Sequence, residues 1–332
     1  MPQLPPLSPP YGLIREQLNQ GHVIPFLGAG ASLAERTAVS AHLSEGDAPA
    51  TPLAVKVASG ADATDRTGET SSATDWESTC LPTAMELARY LARKTAFPPD
   101  EQLDLAKVAQ YYGVVGGRDP LHRDLHRIFN KEYPIATLHS FLADVPTPLL
   151  IITTNYDDLI ECAFKAQGRA FDVVIHTTNQ EMGDLLLWWP HGATRPEKVN
   201  PNKLDIDLKS VTVIYKMHGA VDRAEPSRDQ YVITEDDYID FLARMIKRKA
   251  IPAIFAEPFQ TRHFLFLGYS LADWNLRVVL NRIEKDLRRP KSIKSWAIRY
   301  QARPMEQRFW QERGVEMYDM TIAEFLQQLK AG

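Results

Sequence analysis

Four short polar clusters carry residue types suited to a nucleotide site, and each closes an apolar run: Gly28-Ala29-Gly30-Ala31-Ser32, Thr153-Thr154-Asn155-Tyr156-Asp157, Lys216-Met217-His218-Gly219 and Gly268-Tyr269-Ser270. Gly28-x-Gly30 after a strand gives a turn tight enough for backbone N–H groups to approach a pyrophosphate, and Ser32 adds a hydroxyl. Leu33 stands where a full G-x-G-x-x-G fingerprint has its third glycine, so the cluster also reads as a simple turn; without a lysine it is no Walker loop. Asn155 and Asp157 offer an amide and a carboxylate that could hold an amide, a ribose hydroxyl or a water, and would serve equally as turn and N-cap residues. His218, before Gly219, sets an imidazole on a loop. Its ordinary titration near neutrality suits a general base; the plainer reading is a hydrogen-bonded loop histidine. Gly268 and Ser270 could meet a second ribose, while Asp273 and Asn275 read as the start of a helix.

Clusters so far apart in sequence share a site only if the fold brings them to one edge, as the strand ends of a parallel α/β sheet do. Short apolar runs predict strands at His22–Leu27, Pro148–Ile152, Asp172–His176, Val211–Lys216, His263–Leu267 and Ser295–Arg299. Pro25 removes a ladder donor and counts against a central position for the first of them. Helical spacing predicts helices at Tyr11–Asn19, Asp157–Lys165, Thr234–Lys249, Asn275–Arg288 and Ile322–Leu329, with Thr234 and Asp237 as a capping box. Leu81 to Leu142 is helical throughout. The alternation selects an α/β fold: a doubly wound, Rossmann-like parallel sheet with an inserted helical lobe. Residues 1–20 form an N-terminal extension and helix. The main domain covers 21–332, with a low-complexity insertion at 35–80, read as a lid or a surface excursion, and the helical lobe at 81–146.

With 44% apolar and 24% charged residues and a net charge of −4, the chain of 332 residues has an ordinary globular composition and no bulk attraction for nucleic acid. Cys80 and Cys162 are the only cysteines, which excludes a disulfide framework and a four-thiolate zinc site within one chain. The Pro-rich start lacks a signal-peptide plan and no apolar run reaches membrane-spanning length, so a cytoplasmic protein without membrane contact is expected. His122 and His126 have the spacing of a metal pair but no intervening Glu and no third ligand; they read as solvated or packing residues. His122-Arg123-Asp124 imitates a kinase catalytic loop, yet Asn130 falls one place late and no Gly-rich loop with a strand lysine precedes it. Trp188-Trp189 reads as a buried pair and Arg244–Lys249 as a solvated helix face.

Taken in order, Gly28-Ala29-Gly30-Ala31-Ser32, Thr154-Asn155-Tyr156-Asp157, Met217-His218-Gly219 and Gly268-Tyr269-Ser270 resemble the sirtuin superfamily, specifically its bacterial sirtuin-like branch found in antiphage defence proteins. The resemblance spans roughly His22 to Leu276; the insertion after Ser32 departs from the usual plan, in which Leu81-Pro82 would follow the glycine turn closely. It implies an NAD+ site, with Gly28, Ala29, Gly30 and Ser32 near the pyrophosphate, Thr154 among the cofactor-binding residues, and Gly268 and Ser270 near the adenosine ribose. Asn155 and Asp157 would lie near the nicotinamide and its ribose, and His218 matches the catalytic histidine. Classical sirtuins brace an acyl-lysine cleft with a four-cysteine zinc ribbon that this chain cannot build, so hydrolysis of NAD+ as substrate, without zinc, is expected ahead of deacylation or ADP-ribosyl transfer. The resemblance further implies homo-oligomers, a HerA-type DNA-translocating ATPase as partner, nucleic acid reached only indirectly, and NAD+ depletion in abortive infection. The alternatives are an NAD+ or ADP-ribose binding module without turnover and a partner-dependent nuclease.

Overall fold

A computed structural model describes residues 8–33, 80–178, 182–246, 251–269, 278, 290 and 293–331. The insertion over 35–79, Ser270, the last residues of the helix expected to reach Lys249 and, apart from position 278, the helix expected over 275–288 lie outside the described residues.

In chain order the elements are helix α1 (Tyr11–Asn19), strand β1 (Val23–Leu27), helices α2 (Ala84–Thr95), α3 (Leu105–Val115), α4 (Arg118–Phe129) and α5 (Thr137–Asp144), and strand β2 (Leu150–Thr153). Helix α6 (Leu159–Ala166), strands β3 (Phe171–His176), β4 (Leu186–Trp189), β5 (Glu197–Val199), β6 (Thr212–Lys216), β7 (Gly219–Ala220) and β8 (Gln230–Tyr231) and helix α7 (Glu235–Ile246) follow. The chain continues through helix α8 (Ala256–Thr261), strands β9 (His263–Leu267) and β10 (Ser295–Arg299), helix α9 (Pro304–Gln311), strand β11 (Val315–Asp319) and helix α10 (Ile322–Ala331).

Nine strands make one sheet in the order β11-β10-β9-β1-β2-β6-β3-β4-β5, parallel from β11 to β3 and antiparallel at the β3, β4, β5 edge. Alternate residues of each strand point to opposite faces. Val23 and Leu27 of β1 join Ile14 of α1, Leu142 of α5, Phe164 of α6 and Phe325 of α10, while Ile24 and Phe26 join Phe241 of α7, Phe259 of α8 and Trp310 of α9. Both faces are covered by helices, as a doubly wound sheet requires.

Pro25 sits in a central strand, against expectation. The Gly28 N–H bonds the Leu267 carbonyl, so even-numbered residues of β1 face β9 and odd-numbered ones face β2. Pairing with β2 begins only at Phe26, so the donor that Pro25 lacks falls just outside that ladder. β4, β5, β11 and α9 are elements the sequence pattern did not reveal. Trp188 and Trp189 lie in β4 and are half-buried, each indole N–H bonded, to Asp172 at 2.8 Å and to the Ala193 carbonyl at 2.8 Å.

The expected capping box forms: the Asp237 N–H donates to Thr234 Oγ1 at 3.1 Å and the Thr234 N–H to Asp237 Oδ2 at 2.9 Å. Helices α2, α3 and α4 share a core of their own, with Leu87, Leu91, Val108, Leu121 and Leu125, and this lobe meets Tyr156 and Leu159 beyond the end of β2 and Val221 and Tyr231 at the β7–β8 pair. Helix α5 packs on the sheet instead, through Leu138 and Leu142. No helix among the described residues is long and apolar enough to cross a membrane.

Candidate functional site

The chain leaves β1 for β2 on one side and returns as β9 on the other, so a crevice opens at the strand ends where the winding reverses. A cavity of about 550 Å³ lies there. Gly28, Ala29, Gly30 and Ser32 after β1, Thr154, Asn155 and Asp157 after β2, His218 after β6 and Gly268 after β9 all line it. Leu81, Pro82, Met85 and Phe129 of the lobe wall the other side, with Tyr238 of α7.

The glycines bring two turns into contact. A Cβ on Gly28 would stand 2.6 Å from the Gly268 carbonyl oxygen, and one on Gly30 would stand 2.9 Å from the Gly268 Cα. Gly268 itself has φ +64, and its Cβ would fall 2.0 Å from the Ala31 nitrogen. The Gly30 N–H donates to the Gly268 carbonyl at 2.9 Å, and those of Gly28, Ala31, Ser32 and Leu33 also have backbone partners. The expectation of a row of N–H groups open to a pyrophosphate is therefore corrected: Ala29 alone keeps a turn N–H without a backbone partner among the described residues.

Asn155 spends both amide hydrogens inward, donating to the Gly28 carbonyl at 3.1 Å and to Ser32 Oγ at 3.1 Å. Because a carbonyl only accepts, the amide cannot be flipped, and Oδ1 is left as its unclaimed acceptor. Ser32 Oγ in turn donates to Asp157 Oδ2 at 3.2 Å, and Asp157 Oδ1 accepts the Leu159 N–H at 3.1 Å at the start of α6. The bond to Leu159 is the one a turn or capping residue makes, and the same side chain lines the cavity. The Ser32 hydroxyl is enclosed in this chain of bonds.

His218 is 5% exposed, wedged between the edges of Tyr238 and Phe241 at centroid distances of 5.4 and 5.2 Å. Its carbonyl accepts the Val232 N–H at 2.9 Å, while Gly219, at φ +89, lies so close to Gln230 that no side chain fits. Burial pushes the imidazole down to about 3, away from the titration near neutrality expected of a loop histidine. His176 also meets Phe241 edge-on, at 5.1 Å, and is likewise lowered to about 3 by burial and by the nearby Arg244 and His218.

Sequence alone assigns no role to Lys216, the first residue of the third cluster, or to Glu161. Lys216, 1% exposed at the end of β6, donates to the Asp157 carbonyl and to Glu161 Oε1 at 2.9 Å, pinning the loop that carries Asn155 and Asp157. A lysine closing a buried strand that is otherwise uncharged, with a glutamate on the apolar face of the neighbouring helix, is the signal that could have found them. The helix histidines are otherwise engaged: His126 Nδ1 lies 2.8 Å from Asp229 Oδ2, and His122 packs edge-on to Tyr231. Among the described residues no three His, Cys, Asp or Glu side chains group as metal ligands.

The SIR2-like domain family model matches residues 149–318. The chain is 30% identical over 208 residues to the NAD(+) hydrolase ThsA of Enterococcus faecium, covering 61% of this chain and 37% of that protein. It is 32% identical over 208 residues to the NAD(+) hydrolase ThsA of Acinetobacter baumannii, covering 60% and 35%. Defense-associated sirtuin 2 of Bacillus subtilis is 23% identical over 230 residues, covering 68% and 20%. The matched region spans little more than a third of the ThsA proteins' length.

Proposed function

The chain belongs to the SIR2-like domain family, and from that premise we propose that its cavity hydrolyses NAD+ to nicotinamide and ADP-ribose. The observation that carries the proposal is the meeting of Asn155, Asp157 and His218 with the Gly28 and Gly268 turns around one cavity. The names of the ThsA relatives agree with it.

In the proposed reaction the bond between ribose C1′ and nicotinamide breaks, its electron pair passing to the pyridine nitrogen, and a water oxygen bonds to C1′. The Asp157 carboxylate faces the positive charge that develops on the ribose and holds the carboxamide; the apolar lobe wall keeps bulk water away. Asn155 Oδ1 accepts from the attacking water or a ribose hydroxyl, held in place by its two inward bonds. A depressed imidazole is a weak base, yet it suffices here. Once the C1′–O bond forms, the water is an oxonium and strongly acidic, so neutral His218 accepts its proton late in the step.

The proposal extends to NAD+ depletion in antiphage defence within the cytoplasm, with the site inactive until assembly or a partner, such as a HerA-type DNA-translocating ATPase, activates it. Support for the defence role is the name of the Bacillus subtilis relative together with the resemblance of the four motifs. The test is nicotinamide release from NAD+ by the purified chain, alone and with a candidate ATPase, for wild type, Asn155→Ala and His218→Ala. Release lost in both variants supports the hydrolase. No release under any condition, with nucleotide still bound, would favour the binding module.

A further inference from the structure

Helices α2 and α4 of the lobe run antiparallel along a shared seam: Lys94 Nζ stands 3.6 Å from Asp124 Oδ1, and one turn back on α2 the Tyr90 hydroxyl accepts from Arg127. Both cations lie over the ring of the buried Tyr90, at 5.4 and 6.0 Å from its centre. Asp124 is spent inside the seam, since it also accepts the Tyr112 hydroxyl at 2.7 Å and stands 3.4 Å from Arg127. Glu86, the carboxylate on this side of α2, accepts the Thr83 N–H at 2.7 Å in the capping box of that helix. Helical spacing from Tyr90 and Asp124 sets Arg89 and Arg93 of α2 and Arg123 of α4 on the outer flank of the same seam, and all three are exposed and make no ion pair among the described residues. The side chains of Lys94 and Arg127 are themselves 41% and 60% exposed.

In a chain of net charge −4 this strip of cations around engaged carboxylates is a local reversal of sign. Its cations stand one helical turn apart on two neighbouring helices, so the charge is held in a narrow band about 8–10 Å across. A phosphodiester backbone carries charge at matching density, and guanidinium forks meet phosphate oxygens in pairs. An acidic protein fits the face less well. Protein interfaces are built around an apolar centre, whereas the exposed large apolar residues among the described ones, Leu13, Val114, Val115, Ile239, Tyr300 and Met305, all lie off α2 and α4. With Tyr90 buried beneath the cations the strip offers no open ring for base stacking, which favours a duplex over a single strand. We propose that the outer face of the α2 and α4 pair binds the sugar–phosphate backbone of a nucleic acid duplex without reading its sequence. The contact is direct, where the family resemblance implies an indirect one, and it stands apart from the proposed NAD+ chemistry.

The probe is a fluorescent, mixed-sequence DNA duplex of about 20 base pairs, titrated with the full chain and read by anisotropy at about 50 and about 200 mM salt. Saturable binding is expected at the lower salt, weaker by about tenfold or more at the higher. Arg89→Gln, Arg93→Gln and Arg123→Gln combined break no ion pair of the fold; together they should weaken binding by about tenfold or more and lower the salt slope by about 2 to 3. Lys198→Gln, Lys203→Gln and Lys209→Gln combined make the same change in net charge in and after the edge strand β5, and should leave binding within about threefold of wild type. No saturable binding at the lower salt, or an equal loss in the two triple variants, overturns the site. Poly-L-glutamate bound as tightly as the duplex would give the face to an acidic protein and overturn the assignment to nucleic acid.

Discussion

The Asn155 amide donates to the Gly28 carbonyl at 3.1 Å, so the end of β2 is tied to the turn that follows β1 and the two sides of the cavity share one hydrogen bond. The bond also decides which end of the amide a substrate can meet. Asn155→Asp keeps the shape and removes the donor, setting a carboxylate against a carbonyl. Nicotinamide release should fall by about 100-fold or more, and stability by about 1–3 kcal/mol. Activity within a few-fold of wild type would show that the fixed amide is not needed.

His218 is held neutral by burial, with its imidazole lowered to about 3. The rate of NAD+ hydrolysis should therefore show no loss from histidine protonation down to about pH 4. A pH–rate profile with an acidic limb near pH 6.5, absent in a variant that retains residual activity without His218, would contradict this.

Stability should respond to pH where the rate does not. The unfolded imidazole binds its proton near 6.5, the folded His218 and His176 only near 3. The unfolded state thus takes up more protons within that window, so stability is complete above pH 6.5 and is lost as pH falls toward 3. By pH 5 each histidine should account for about 2 kcal/mol. Urea unfolding at pH 7.5 and pH 5 checks this, and the difference should shrink by roughly half in His176→Leu.

Gly268→Ala would drive a methyl group into the Ala31 nitrogen at a positive φ. The β1 and β9 turns must then part, at a cost of about 2–4 kcal/mol, with nucleotide binding lost. A variant that melts within a degree or two of wild type would show that the turns can part freely.

Lys216→Met should destabilise by about 3–5 kcal/mol, because it leaves Glu161 buried without its charge partner. Pairing it with Glu161→Leu should restore most of the stability, but not turnover, since the Asp157 carbonyl still lacks its donor. Recovery of both would reduce the lysine to a packing residue.

Much of this architecture could be read from short apolar runs ending in polar clusters, because a strand buried on both faces leaves that signature. The edge strands β5 and β11 left none, and the apolar run Leu185–Trp189, which holds β4 beside β5, reads first as an aromatic pair. Val315–Asp319 mixes charges with apolar residues, and Glu197–Val199 is too short for any period. At the site, residue types pointed to Asn155, Asp157 and His218, but not to their states. His218 titrates far from neutrality because Tyr238 and Phe241, on a helix distant in sequence, close over it. Nor could spacing reveal that the glycine turn spends its N–H groups on its own backbone and on β9.

The contact between the Gly28 and Gly268 turns also bears on synthesis. β1 is made early, yet one of its two neighbours, β9, follows only after the lobe and most of the sheet. Until Gly268 arrives, the Gly30 N–H has no acceptor there and the cavity lacks a wall. On the proposed activity, a nascent chain cannot consume the NAD+ of the cell that is translating it: the hazard begins only once nearly the whole sheet has been delivered.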